Sequence, residues 1–183
     1  MKLLSEREGL ARLKKLKENF RKIIRESYEY RAKNCLTCEH QGICCLDDHF
    51  VNVHITELEA NLILKEVEKL SSEKIETLKK RNLQTVAKYN LSEGNSNQTF
   101  ACPFLEKGKG CLIHEVKPLA CIQHACYERK EHLPPDSLQE EYERKIERLN
   151  RQVYGKPAKW LPLPVWIKIL TEIGCEKSKI TKT

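Results

Sequence analysis

Cys35-Leu-Thr-Cys38-Glu-His-Gln-Gly-Ile-Cys44-Cys45 is answered later in the chain by Cys102, Cys111, Cys121 and Cys126, so eight of the nine cysteines fall into two groups. A two-residue gap between cysteines lets the backbone fold round one ion with its amides toward the sulfurs, and four such thiolates close a site. This chain offers twice that number, with His40, His114 and His124 interleaved. Cys44 and Cys45 add a constraint, because adjacent side chains diverge and a disulfide between them needs a strained ring. Either the two sulfurs serve neighbouring metals, or one ligates while the other packs. The first alternative implies a polynuclear or two-metal site.

A chain of 183 residues suits one domain, and with 32% charged residues and a mean hydropathy of −0.59 much of its surface is solvated. The expectation is one compact body plus an arm. Leu3-Leu4 is followed at once by Ser5-Glu6-Arg7-Glu8, which leaves no apolar stretch of the signal-peptide kind. No apolar run is long enough for a bilayer. These features predict a cytoplasmic protein without a membrane partner, in a compartment where clustered thiols stay reduced and serve as metal ligands. Cys175 stands alone on an apolar C-terminal stretch and is left out of both groups.

The formal net charge of +7 is concentrated at one end: residues 1 to 33 hold eleven Lys/Arg against five Asp/Glu, leaving 22 and 21 for everything after. That segment reads as a basic amphipathic helix, with Leu10, Leu13, Leu16, Phe20, Ile23, Ser27 and Tyr30 forming a stripe at steps of three and four. Lys14, Lys15, Lys17, Arg21, Lys22 and Arg25 are assigned to its other faces. The stripe docks the helix on the body or forms a seam with a second copy or a protein partner. Nucleic acid is disfavoured, since Phe20, Tyr28 and Tyr30 supply little for stacking on bases.

Two units follow: the helix over 1–33, and a cysteine-cluster domain over 34–183 ending in helices. Phe50-Val-Asn-Val-His-Ile55 alternates like a short strand. Thr56 and Glu59 make a capping box for a helix carried by Leu58, Leu62, Ile63, Val67 and Leu70. Ser71 opens another, with Ile75, Leu78, Leu83, Val86 and Tyr89, and Ser92 to Gln98 is a loop by composition. Thr99 to Leu105 and Cys111 to His114 flank a Gly/Lys turn and predict a β-hairpin with Cys102 and Cys111 on opposite arms. Cys121 to Cys126 suits one or two helical turns. Ser137 and Glu140 form a second capping box before a helix lined by Leu138, Tyr142, Ile146, Leu149 and Val153, which Gly155 and Pro157 stop. The tail from Trp160 to Leu170 is read as a plug over the core, a helix with Pro164 in its first turn and Gly174 at its end. The fold class is mainly α with a small β-hairpin.

Taken together, the two groups resemble the CxxCxxCC or YkgJ-like family of small cysteine-cluster proteins, regarded as zinc- or iron-chelating domains. The resemblance rests on Cys35, Cys38, Cys44-Cys45, the Cys102-Pro-Phe-Leu105 box, Cys111 with Ile113, and Pro118 three residues before Cys121, and it covers 35 to about 126. Five residues separate Cys38 from the pair, a longer gap than is usual there, and Lys117-Pro118 and Cys121-Ile122 stand where the family has Arg-Pro and Cys-Arg. The resemblance implies a shared metal site and carries no activity over to this chain.

The donor set then bounds the chemistry. The ligand set comprises Cys35, Cys38, Cys44, Cys45, Cys102, Cys111, Cys121 and Cys126, with His114 and His124 as ligands or as hydrogen-bond donors behind them. His40 and Asp47-Asp48-His49 flank the first group, while His54 and His132 read as ordinary histidines. The ligand surplus and the vicinal pair favour iron, as an iron–sulfur or other polynuclear centre with a redox role. The alternative is a closed structural zinc site, colourless and acting in protein interaction. A cysteine nucleophile needs an accessible low-pKa thiolate beside a base, a job for which a metal ligand is not free. Serine in place of any clustered cysteine exchanges a soft thiolate for a hard, protonated hydroxyl. Metal content measured per chain should therefore fall in Cys45→Ser and Cys121→Ser and stay unchanged in Cys175→Ser.

Overall fold

In the computed structural model the described residues are 3–32, 42–46, 52–94, 98–106, 108–127 and 129–180, the last eight by backbone alone. Among them are six α-helices: α1 (Glu6–Ser27), α2 (Glu57–Val67), α3 (Ser72–Lys88), α4 (Leu119–Gln123), α5 (Asp136–Tyr154) and α6 (Leu163–Ile180). Two antiparallel pairs join them. Strands β2 (Leu105–Glu106) and β3 (Gly110–Cys111) form the expected hairpin, with Leu105 opposite Cys111. The second pair, β1 (His54–Ile55) with β4 (Leu161–Pro162), ties the approach to α2 to the approach to α6. The protein is a mainly helical, compact single domain.

Local chemistry sets the helix ends. Ser5 and Glu8 cap α1 reciprocally, and Thr56 and Glu59 do the same for α2. Ser71 caps α3 through Lys74 N. The box expected at Ser137 and Glu140 does not form, because α5 begins at Asp136, behind Pro135, two residues earlier than a Ser137 cap requires, and Ser137 lies inside its first turn. Gly155 ends α5 as read. Gly174 does not end α6, whose backbone continues to Ile180; one glycine costs a helix only about 1 kcal/mol, and Glu176, Lys177 and Lys179 beyond it are good helix formers.

The first helix is not an arm. It packs against α2, α4 and α5, with Leu13 and Phe20 fully buried and the Phe20 ring 4.7 Å from that of Tyr142 on α5. At Gly9 a Cβ would run into Val153 Cγ2, so the glycine permits the close approach of α1 to α5. The stripe is displaced from the expected one: Leu10, Leu13, Lys17, Phe20 and Ile24 are buried, while Tyr30 lies beyond the helix and is exposed. Lys17 therefore faces inward, and the apolar stripe is spent within the chain. Similarly, α3 buries Leu78, Asn82 and Thr85 and leaves Leu83 exposed.

The plug is also present, since Leu161, Leu163, Val165, Trp166 and Ile167 are all buried. The segment carrying the later cysteines is anchored in the same core by Phe100, Phe104, Ile113, Val116, Leu119 and Ile122. Truncating Phe20 leaves a cavity at the junction of α1 and α5, so Phe20→Ala should cost about 3–5 kcal/mol in urea unfolding, whereas Tyr30→Ala should be near neutral.

Candidate functional site

Three pieces of backbone bring cysteines together. Gly42, at φ 85°, opens a 3-10 turn over Ile43–Cys45, and the Cys45 amide closes it on the Gly42 carbonyl at 2.9 Å. The Cys102 amide then donates to the Cys45 carbonyl at 2.8 Å, joining the two cysteine groups directly. Cys102 itself precedes β2 rather than lying on it, while Cys111 sits on β3. Cys121 is carried by α4, whose first-turn partner Pro118 accepts from Ile122 N. Cys126 lies past α4, beside Tyr127, which bridges to Ala32 at the foot of α1.

The thiols report one another through their protonation. Cys44 donates to Cys45, which together with burial raises its pKa strongly. Cys45 is pushed up to about 12, first by its own bond to Cys102, then by burial and by Cys102 and Cys111 nearby. Burial raises Cys111, with Cys44 adding to the effect. Cys121 is pushed up to about 12 by burial, then by Cys45 and Cys111, against the opposing pull of Lys117 and Lys17. Five thiols, from Cys44, Cys45, Cys102, Cys111 and Cys121, thus share one half-buried neighbourhood. Sulfur hydrogen bonds link Cys44, Cys45 and Cys102, and among the described residues no group of three or more His, Cys, Asp or Glu side chains is arranged to hold a metal ion.

The other expected residues are placed differently. His114 carries its ring in solvent, 63% exposed, with Nδ1 3.4 Å from Glu115 Oε1. His124 caps the C-terminus of α4 and its Nε2 is shielded from solvent. His54 is half-buried on β1, where burial lowers its pKa, and His132 ends a 3-10 turn. Cys35, Cys38, His40 and Asp47 to His49 lie outside the described residues, as does the side chain of Cys175.

Cations that sequence reading placed in solvent or passed over bond to the backbone segments that carry the thiols, or act on the thiols by their charge. Arg81 on α3 donates to the Pro103 carbonyl at 3.2 Å and the Leu105 carbonyl at 2.8 Å, holding the Cys102-Pro-Phe-Leu105 box in place. Arg21 on α1 donates to the Glu115 carbonyl at 2.9 Å, and Lys17 donates to the Val116 carbonyl at 3.0 Å. Lys117, standing where the resembled family has arginine, is half-buried, and its charge acts on Cys44, Cys111 and Cys121. The signal for Lys17 was present in the sequence, since 10, 13, 17, 20 and 24 alternate steps of three and four with a lysine at the centre.

No family model matches the chain, and no curated protein or solved structure matches it either.

The tight point of the site is Gly42, where a Cβ would meet Leu105 Cδ1 at 2.8 Å in a left-handed conformation. Gly42→Ala should cost about 1–2 kcal/mol in denaturant unfolding through backbone strain. Leu105→Ala added to it should recover only the steric part.

Proposed function

We propose that this chain is a metal-binding protein of the CxxCxxCC type, holding iron as an iron–sulfur or other polynuclear centre through its two cysteine groups. The observation that carries the reading is the shared neighbourhood of Cys44, Cys45, Cys102, Cys111 and Cys121, drawn from both groups. Buried thiols that raise one another's pKa are costly to ionise, and a soft cation supplies the missing positive charge. The donor set fits such an ion in kind, being rich in sulfur and short of carboxylate. Cys35, Cys38 and Cys126 complete the set of sulfur ligands in this reading, with His124 beside α4 as a ligand or a hydrogen-bond partner of one. His114 joins only if its ring leaves Glu115.

When bound, iron supplies electron transfer or an open coordination position, and the chain supplies a half-buried pocket in which Lys117 offsets thiolate charge. A reducing compartment such as the cytoplasm is the setting this chemistry requires. Among the described residues no helix is long and apolar enough to cross a membrane. The N-terminal helix could meet a protein partner or a second copy only on its outward face, since its stripe is covered within the chain.

The second reading is a structural zinc site for protein interaction. It is favoured by the Cys102 to Cys45 backbone bond, which already links the two pieces such a knot would hold. Anaerobic purification followed by elemental analysis and a visible spectrum separates the two readings. Iron with charge-transfer absorption is the expected result, colourless zinc supports the second reading, and a chain that takes up neither metal would remove both. Chelation should abolish the visible absorption while leaving most helical circular dichroism in place, because the later cysteine segment is anchored by Phe100, Phe104 and Ile113 in the common core.

A further inference from the structure

We infer that the cleft on the outer face of α5, where Arg144, Arg148 and Arg151 meet the segment after Gly155, binds a small anion carrying more than one phosphate group. The site uses none of the residues assigned to the thiols, so it stands or falls apart from the metal reading.

Spacing builds the site. Residues 144, 148 and 151 are four and three apart on α5, which sets their guanidinium groups in one row about 10 Å long. Gly155, left-handed at φ 69°, turns the chain at the end of the helix, and Pro157 and Ala158 complete the lining. The cleft measures about 500 Å³, inside the range of about 300–1,000 Å³ that small-molecule sites occupy.

The charges in the cleft are unspent. Arg148 commits only its Nε, to the Arg144 carbonyl of its own helix at 3.3 Å, and the Arg151 side chain bonds to nothing among the described residues. Arg144 meets Glu140 only at 3.6 Å, with both side chains exposed. Glu147 is the one carboxylate in the lining and stands one turn before Arg151, the favoured order for an ion pair, yet no pair forms between them. Beyond residue 33 the chain is close to neutral, with 22 basic to 21 acidic residues, so three arginines against one glutamate is a local concentration of charge.

A face that only needed solvation would be served as well by lysine. Every cation in this lining is arginine, whose planar fork takes phosphate oxygens two at a time. Three forks in a row over a concave surface suit adjacent phosphate groups on one compact ligand. An acidic peptide carries its carboxylates on separate flexible side chains, and ordering them costs more.

Tripolyphosphate and a nucleoside triphosphate, each without divalent metal, are the probes, in calorimetry on the full chain at about 150 mM salt, where diffuse attraction is screened. Tripolyphosphate should bind with a Kd below about 1 mM. Arg148→Gln/Arg151→Gln replaces two exposed side chains by a good helix former, so it should fold like the wild type by circular dichroism and bind about tenfold more weakly. Arg151→Gln alone, about threefold weaker, provides the comparison if the pair disturbs folding. Arg12→Gln/Lys15→Gln removes the same charge from a separate groove of about 280 Å³ between α1 and α5, and should stay within about threefold of the wild type. A nucleoside triphosphate that binds more tightly than tripolyphosphate names a nucleotide as the ligand, and one that binds no more tightly names the phosphate chain alone; both support the site. No binding of either probe, equal weakening in the two double variants, or tighter binding of a glutamate peptide than of tripolyphosphate overturns the inference. None of these outcomes bears on metal uptake.

Discussion

The ammonium of Lys17 is bound where three parts of the molecule meet: the centre of α1, the N-terminus of α2 and the turn before α4. Placing an amine there is expensive, and burial alone lowers its pKa. Two partners offset that cost, the Glu59 carboxylate and the Val116 carbonyl. Glu59 in turn completes the capping box of α2, so one carboxylate serves both a helix end and a buried charge. Losing either member would strand the other in the core, which is why the packing of α1 against α2 and α4 depends on the pair as a unit.

The same economy governs the thiols. Cys44, Cys45 and Cys102 form a run of sulfur hydrogen bonds that keeps protons on the first two, and burial raises Cys111 and Cys121. A cation entering such a site must displace protons, so its affinity falls as pH falls. Lys117 and Lys17 work in the opposite direction by favouring thiolate. The balance separates this cluster from a reactive cysteine, whose thiolate forms by itself near neutral pH.

Much of this was legible in the chain. Thr56 with Glu59, Ser71 and Gly155 mark helix ends through local hydrogen bonds and backbone conformation, which are properties of a few neighbouring residues. The hairpin followed from its Gly/Lys turn. What was not legible depends on long-range packing. Lys17 looked solvated because lysine usually is, although its position at the centre of a three-four alternation argued otherwise. Asn82 took the inner face of α3 in place of Leu83 because the Pro164 carbonyl, far along the chain, accepts its amide at 2.9 Å. The role of Arg81 needed the position of the Pro103 and Leu105 carbonyls, which no local pattern encodes.

These polar side chains share one logic. Lys17, Asn82 and Asn150 each occupy the inward face of a long helix, and each bonds to backbone near the end of another element: the Val116 carbonyl, the Pro164 carbonyl and the Leu58 amide. Arg21 and Arg81 do the same for the carbonyls of 115, 103 and 105. The segments around the cysteines are short turns and two-residue strands, with too few ladder bonds to satisfy their own carbonyls. Bare apolar packing would leave those groups unpaired at a cost of about 1–3 kcal/mol each. Polar residues on the helices meet that need, and in doing so they fix the register of irregular backbone against regular backbone. The thiols converge because long helices hold the short turns that carry them.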